Sequence, residues 1–207
     1  MKLNKPKITI YEEKDFIVLN NEEQISNYRF TKTPEESIEI KDNTIDSCIF
    51  ENIDFTNIEL INIDLIDVIF NNCDLSNKSF DNKLINRVVF KNCKMLGTSF
   101  INSSLKDIEI NCCTSKYLNF SDAKINNMLI NETNLSESSF IETNIKNLYL
   151  EKVNLNHTEF IKTNLKDIDF SNSDITNIIF DLESLKGIII DRFQSVSLVG
   201  MLGVKIK

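Results

Sequence analysis

The sequence has no tryptophan, one histidine, two prolines and four glycines in 207 residues. So little glycine and proline leaves no flexible linker to divide the chain. The one histidine, His157, sits at a position that reads as an outward turn, and it completes no metal motif. There is no glycine-rich phosphate loop and no nucleophile elbow. Carboxylates are many, but an acid/base pair needs a cleft to perturb it, and a convex rod offers none. The expectation is a protein that is not an enzyme, with no cofactor and no metal. No apolar run approaches the ~18 residues that cross a bilayer, so no membrane role is expected. The opening Met1-Lys2-Leu3-Asn4-Lys5-Pro6-Lys7 has no apolar stretch after its lysines. It does not read as a signal peptide, and a cytoplasmic location is expected.

Basic residues are also in deficit: 23 Lys and Arg stand against 31 Asp and Glu, a formal charge of −8. Between Lys41 and Ile190 there are 22 acidic and 14 basic residues, so the middle of the chain carries the imbalance. Direct nucleic-acid binding wants a basic stripe and is disfavoured. Solubility is the simplest reading of the charge.

What the chain does have is a period of five. From Ile40 to Ile190, every position divisible by five is apolar except Ser115. Five is neither the 3.6 of a helix nor the 2 of a strand. A fixed internal repeat means a solenoid. Phenylalanine reveals the coil length. Phe80, Phe100, Phe120, Phe140, Phe160 and Phe180 recur every twenty residues, and Phe50, Phe70 and Phe90 form a second column ten residues out of step. Four pentapeptides therefore make one coil. Like side chains stack at the ~4.8 Å spacing of neighbouring strands, and seven and a half coils give a rod of roughly 36 Å.

The residue two before each central position should also face inward. Cys73, Cys93 and Cys113 form one such column, twenty apart. Stacked parallel thiols do not converge as zinc ligands must, so these read as small reduced fillers. The neighbouring Cys112 should point away from Cys113. Lys78, Lys83 and Glu183 occupy inward positions and, with Ser115, break the pattern. A local bulge with each charged head turned to solvent is the expected accommodation.

Segments such as Ile53-Asp-Phe-Thr-Asn, Cys73-Asp-Leu-Ser-Asn and Ser173-Asp-Ile-Thr-Asn resemble the repeat of the pentapeptide-repeat family. The resemblance implies an all-β fold, a right-handed quadrilateral β-helix. The chain then divides into an N-terminal cap at residues 1–39, the β-helix at 40–190, and a C-terminal cap at 191–207 with a short α-helix. That last segment is similar to the tail of pentapeptide proteins that protect DNA gyrase from quinolones. The similarity implies a homodimer, with Phe193, Val196, Val199, Met201 and Leu202 as the candidate interface; a cap on a monomeric rod is the alternative.

One outward feature could define a binding face. Ile69, Val89, Leu129 and Tyr149, with Ile189 beyond them, form an apolar stripe unless the N-terminal segment covers it. At a neighbouring corner Lys106, Lys146, Lys166 and Lys186 stack beside Asp107 and Asp167, a mixed solvated edge. The function expected is a scaffold for a protein partner. The alternative, implied by the resemblance, is a DNA mimic that binds gyrase or another type II topoisomerase.

Overall fold

The computed structural model describes residues 3–16, 25–201 and 203–205. From Ile25 onward the strands pair in parallel at a register of twenty: Ile45 opposite Leu65, Phe70 opposite Phe90, Ile110 opposite Ile130. Two adjoining walls are continuous strand, as in Ile58–Asn71, Leu84–Lys91, Ser104–Asn111 and Lys124–Asn131. The other two walls are held by single bridges, such as Asp74 to Lys94 and Ser99 to Asn119. The result is a four-sided, mostly β solenoid of about eight coils, with one helix, Gln194–Met201.

The corners explain the abundant asparagine. Two residues past nearly every central position, φ is positive, between 46° and 66° at the non-glycine sites. Asn and Asp hold more than half of these sites, because their short polar side chains tolerate the left-handed region best. His157 is one of them, exposed as expected. At Gly97 a second constraint applies, since a Cβ there would lie 2.8 Å from Asn77 Oδ1. Side chains in line with these corners bond from coil to coil, as in Asn72 Nδ2 to Asn52 Oδ1 at 2.6 Å.

The core is two columns of rings. Phe30, Phe50, Phe70 and Phe90 stack at 5.0–5.2 Å along one wall. Phe80 to Phe180 stack along the opposite wall, with Phe100, Phe120 and Phe140 at 5.1 and 4.8 Å. Where one wall carries rings, the facing residue is largely aliphatic, such as Ile110 or Ile130, which keeps the cross-section filled. The columns overlap where Phe90 meets the edge of Phe100 at 6.2 Å.

The cysteine ladder does more than fill space. Thr143 Oγ1 donates to the Phe120 carbonyl at 2.8 Å, and Ser103 Oγ donates to that of Phe80 at 2.6 Å. Cys73, Cys93 and Cys113 make the same bond, 23 residues back, to Phe50, Phe70 and Phe90 at 3.4–3.5 Å. Each thiol stands in for a hydroxyl that satisfies a buried carbonyl. All five cysteines are free, and burial pushes the Cys48 thiol up to about 12. Among the described residues no cluster of three metal-ligating side chains occurs, and no helix is long and apolar enough to cross a membrane.

The coil register begins earlier than the sequence pattern suggested. Ile25 pairs with Ile45, and Arg29 and Phe30 pair with Ile49 and Phe50, so the segment read as a cap already contains part of a coil. Glu35, exposed beside Pro34, breaks the five-residue phase and hid the earlier start. The plug below is Phe16, buried with its ring 4.7 Å from Phe30 and edge-on to Phe55 at 6.3 Å.

The irregular positions resolve separately. Lys83 turns outward to Asn62 Oδ1, and Lys78 stays half-buried. Glu183 leaves the core altogether and pairs with Lys186 at 2.8 Å. Buried Ser184 takes its place, accepting from the Thr163 amide at 3.0 Å, so the phase slips locally by one residue before Ile189 regains it opposite Asp169. Ser115 keeps its place in the core, fully buried, and its Oγ has no hydrogen-bond partner among the described residues. An unpaired buried hydroxyl is destabilising. Ser115→Ala should therefore raise the free energy of unfolding by about 1 kcal/mol in urea titration. A loss of stability would show that the hydroxyl finds a partner in solution.

The C-terminal cap is built by Asp191. Its Oδ1 accepts from the amides of Phe193 at 2.6 Å and Gln194 at 2.9 Å, while Gln194 Oε1 accepts from the Asp191 amide at 2.9 Å. This reciprocal pairing is a capping box. Gln194 Nε2 then closes the last coil by donating to the carbonyls of Phe170 and Ser173. Leu198 is buried against the end of the core, and Gly203, at φ +76°, follows the helix.

Candidate interaction surface

The N-terminal arm runs along one corner of the rod, beside the apolar stripe. Two carboxylates at that corner hold it. Asp107 accepts from Asn4 through the backbone amide at 3.4 Å and through Nδ2 at 2.9 Å. Two coils earlier, Asp67 accepts from the Lys7 amide at 2.8 Å. Between them lies Arg87, which donates through Nε and Nη2, one edge of its guanidinium, to the two oxygens of Asp67, both at 2.6 Å. The arm then reaches Glu12 and Glu13, which pair with Tyr28 and Arg29, and ends on the Phe16 plug.

Both carboxylates are almost fully buried. Burial alone would raise their pKa values. For Asp67 the Arg87 guanidinium and the Lys7 amide outweigh burial and hold the carboxyl below its ordinary range. For Asp107 the bonds from Asn4 and Asn127 do the same.

The arm decides how much of the stripe is open. Ile69, Val89 and Leu129 are half-buried, while Tyr149, farther along the rod, is exposed. Glu109 interrupts the stripe between Val89 and Leu129. A groove of about 500 Å³ lies between the arm and Ile49, Ile69 and Val89. It is followed by one of about 890 Å³ lined by Leu3, Leu129, Tyr149, Lys146 and Lys166. Sequence reasoning raised the possibility of a cover. The two carboxylates that fasten it gave no signal in the repeat, because their partners lie 60 and 103 residues away.

At the far end the candidate dimer residues separate. Phe193 is 76% and Val196 54% exposed, whereas Val199 is half-buried. The Met201 side chain and Leu202 lie outside the described residues. Ile179, Leu182, Ile189 and Val204 are also exposed in the last coil and tail, so apolar surface concentrates at this end.

The acidic excess is interleaved with bases. Lys94 faces Asp74, Lys152 faces Glu132, and Lys162 faces Glu142, each pair joining neighbouring coils at 3.7, 2.9 and 2.7 Å. These pairs are exposed and contribute little to stability. They do break any unbroken acidic ridge along those columns. Lys106, Lys146, Lys166 and Lys186 are all exposed along their corner.

No curated protein sequence shows significant similarity to the chain. Among solved structures, a trypsin-treated variant of QnrB1, a plasmid-mediated fluoroquinolone resistance protein, is similar at 20% identity. The match covers 86% of this chain and 99% of that one, with a TM-score of 0.47. A second trypsin-treated QnrB1 variant is similar at 21% identity over 89% and 98%, with a TM-score of 0.46. HetL, a pentapeptide repeat protein of heterocyst differentiation regulation from the cyanobacterium Nostoc sp. strain PCC 7120, is similar at 14% identity over 81% and 89%, with a TM-score of 0.35. The profile described as pentapeptide repeat region matches residues 63–140, and that for pentapeptide repeats matches 146–177, together more than half of the sequence. The period of five, the register of twenty and these two matches agree: the chain belongs to the pentapeptide-repeat family.

Proposed function

We propose that the protein is a non-enzymatic interaction scaffold that acts in the cytoplasm as a homodimer joined at its C-terminal ends. The observation that carries this reading is the exposed apolar end. Phe193, Val196, Leu182, Ile189 and Val204 are large, at least 47% exposed, and gathered on the last coil and tail. Such concentrations on a soluble chain mark contact surfaces. Leu198 holds the helix to the rod and leaves Phe193 and Val196 free to meet a second copy. A two-fold contact of this kind uses one patch twice.

Light scattering after gel filtration tests it. The full chain should run at twice its 23.9 kDa mass, and Phe193→Asp should return it to the mass of one chain with unchanged circular dichroism. A wild-type chain that is monomeric at tens of micromolar would remove the dimer.

A second reading draws on the net charge of −8 and supposes that the doubled rod occupies the DNA groove of a gyrase-type topoisomerase. The interleaved lysines favour the scaffold over this mimicry. A gyrase supercoiling assay with a fluoroquinolone separates the two. Neither protection nor inhibition at micromolar protein leaves only the scaffold.

A further inference from the structure

The arm and the corner beneath it meet at two fixed points. Along the corner the order is carboxylate, guanidinium, carboxylate: Asp67, Arg87, Asp107. Along the arm it is Lys7, Pro6, Lys5, Asn4. The amides of Lys7 and Asn4 meet the two acceptors. Arg87 spends its guanidinium on Asp67 and has no acceptor to offer. Between the two pinned residues lie Lys5 and Pro6, and the proline has no N–H to satisfy. Three residues of extended chain reach about 10 Å, which is two coil spacings. Asn4 adds a side-chain bond that reads its identity. Lys5 and Lys7 bring positive charge to a body with excess acid.

We propose that this corner, with the grooves beside it, is a recognition track for an extended basic segment of a partner protein with the spacing Asn-x-Pro-Lys, and that the chain's own arm is its resident occupant. The inference builds on the scaffold reading and names the chemistry of one partner. The track binds by two carboxylates that accept from backbone N–H groups and by the Asp107 clamp on an asparagine side chain. A partner segment must displace the arm, so its apparent affinity is reduced by the fraction of time the track is open.

The test is fluorescence anisotropy with a labelled synthetic peptide of residues 3–11. It is titrated into the full chain carrying Asn4→Ala and Lys7→Pro, which loosen the resident arm. Saturable binding is expected, tighter than to the wild-type chain. Lys7→Pro or Asn4→Ala placed in the peptide should each weaken it about tenfold, the loss of a charge-assisted hydrogen bond. The peptide changes leave the protein itself unaltered, and circular dichroism identical to wild type shows that the loosened chain is folded. Absence of saturable binding overturns the proposal, as does equal binding of a scrambled peptide of the same charge. Continued protection of residues 3–8 in amide exchange of the loosened chain overturns it too, since a track that cannot be vacated serves no partner. None of these failures touches the dimer at the other end, which light scattering reads separately.

Discussion

Phe120→Ala should lower the free energy of unfolding by about 3–5 kcal/mol. The ring is fully buried, with Phe100 at 5.1 Å below and Phe140 at 4.8 Å above, both near parallel. Removing it deletes two stacking contacts and leaves a void in a close-packed column. The facing Ile130 is itself buried and cannot swing across to fill the gap without disturbing its own column. Coils bond only to their neighbours, so the defect should also divide the unfolding transition. Urea denaturation followed by circular dichroism gives both readings. A loss below about 1 kcal/mol would mean that the neighbouring coils collapse onto the site.

Asp67→Ala should cost about 3 kcal/mol. Its carboxylate is the bidentate partner of Arg87 and the acceptor of the Lys7 amide. Removing one member of a largely buried pair strands the other charge, which is worse than removing both. Asp67→Asn with Arg87→Met should accordingly recover part of the loss. The same carboxylate sets an acid limit. Its native pKa is depressed, as is that of Asp107. A depressed native value means that the stabilisation is complete above the unfolded value, about 3.9, and is lost as pH falls through the native one. Fastening of the arm should therefore be constant at neutral pH and fail only below about pH 4. Amide exchange at Lys7 across that range reads it. Release of the arm near pH 6 would assign its fastening to some other group.

The core was legible because it is periodic. Phe100, Phe120 and Phe140 announce a column as soon as every twentieth residue is read together. The left-handed corners fall where asparagine and aspartate recur between the apolar positions. What escaped reading is what the period does not carry. The start at Ile25 was concealed by Glu35, one polar residue on the phase. The bulge expected at Glu183 is there, but that Ser184 takes the inward place lies off the five-residue phase. The cysteines looked like filler, because hydrogen bonding by a thiol leaves no mark in composition. The arm's fastening depends on Asn4 and Lys7 meeting acids in distant coils, and no local rule joins such pairs.

The one-residue slip at Ser184 falls in the last coil, where no further coil has to register upon it. The register of twenty is regained within five residues, where Ile189 bridges Asp169, so the turn length survives it. A rod made this way can gain or lose length only by whole turns of twenty residues, in steps of about 4.8 Å. The separation between the arm's corner near one end and the greasy tip at the other is thus a ruled distance, graduated like a gauge, and whatever grips both must be built to one of its marks.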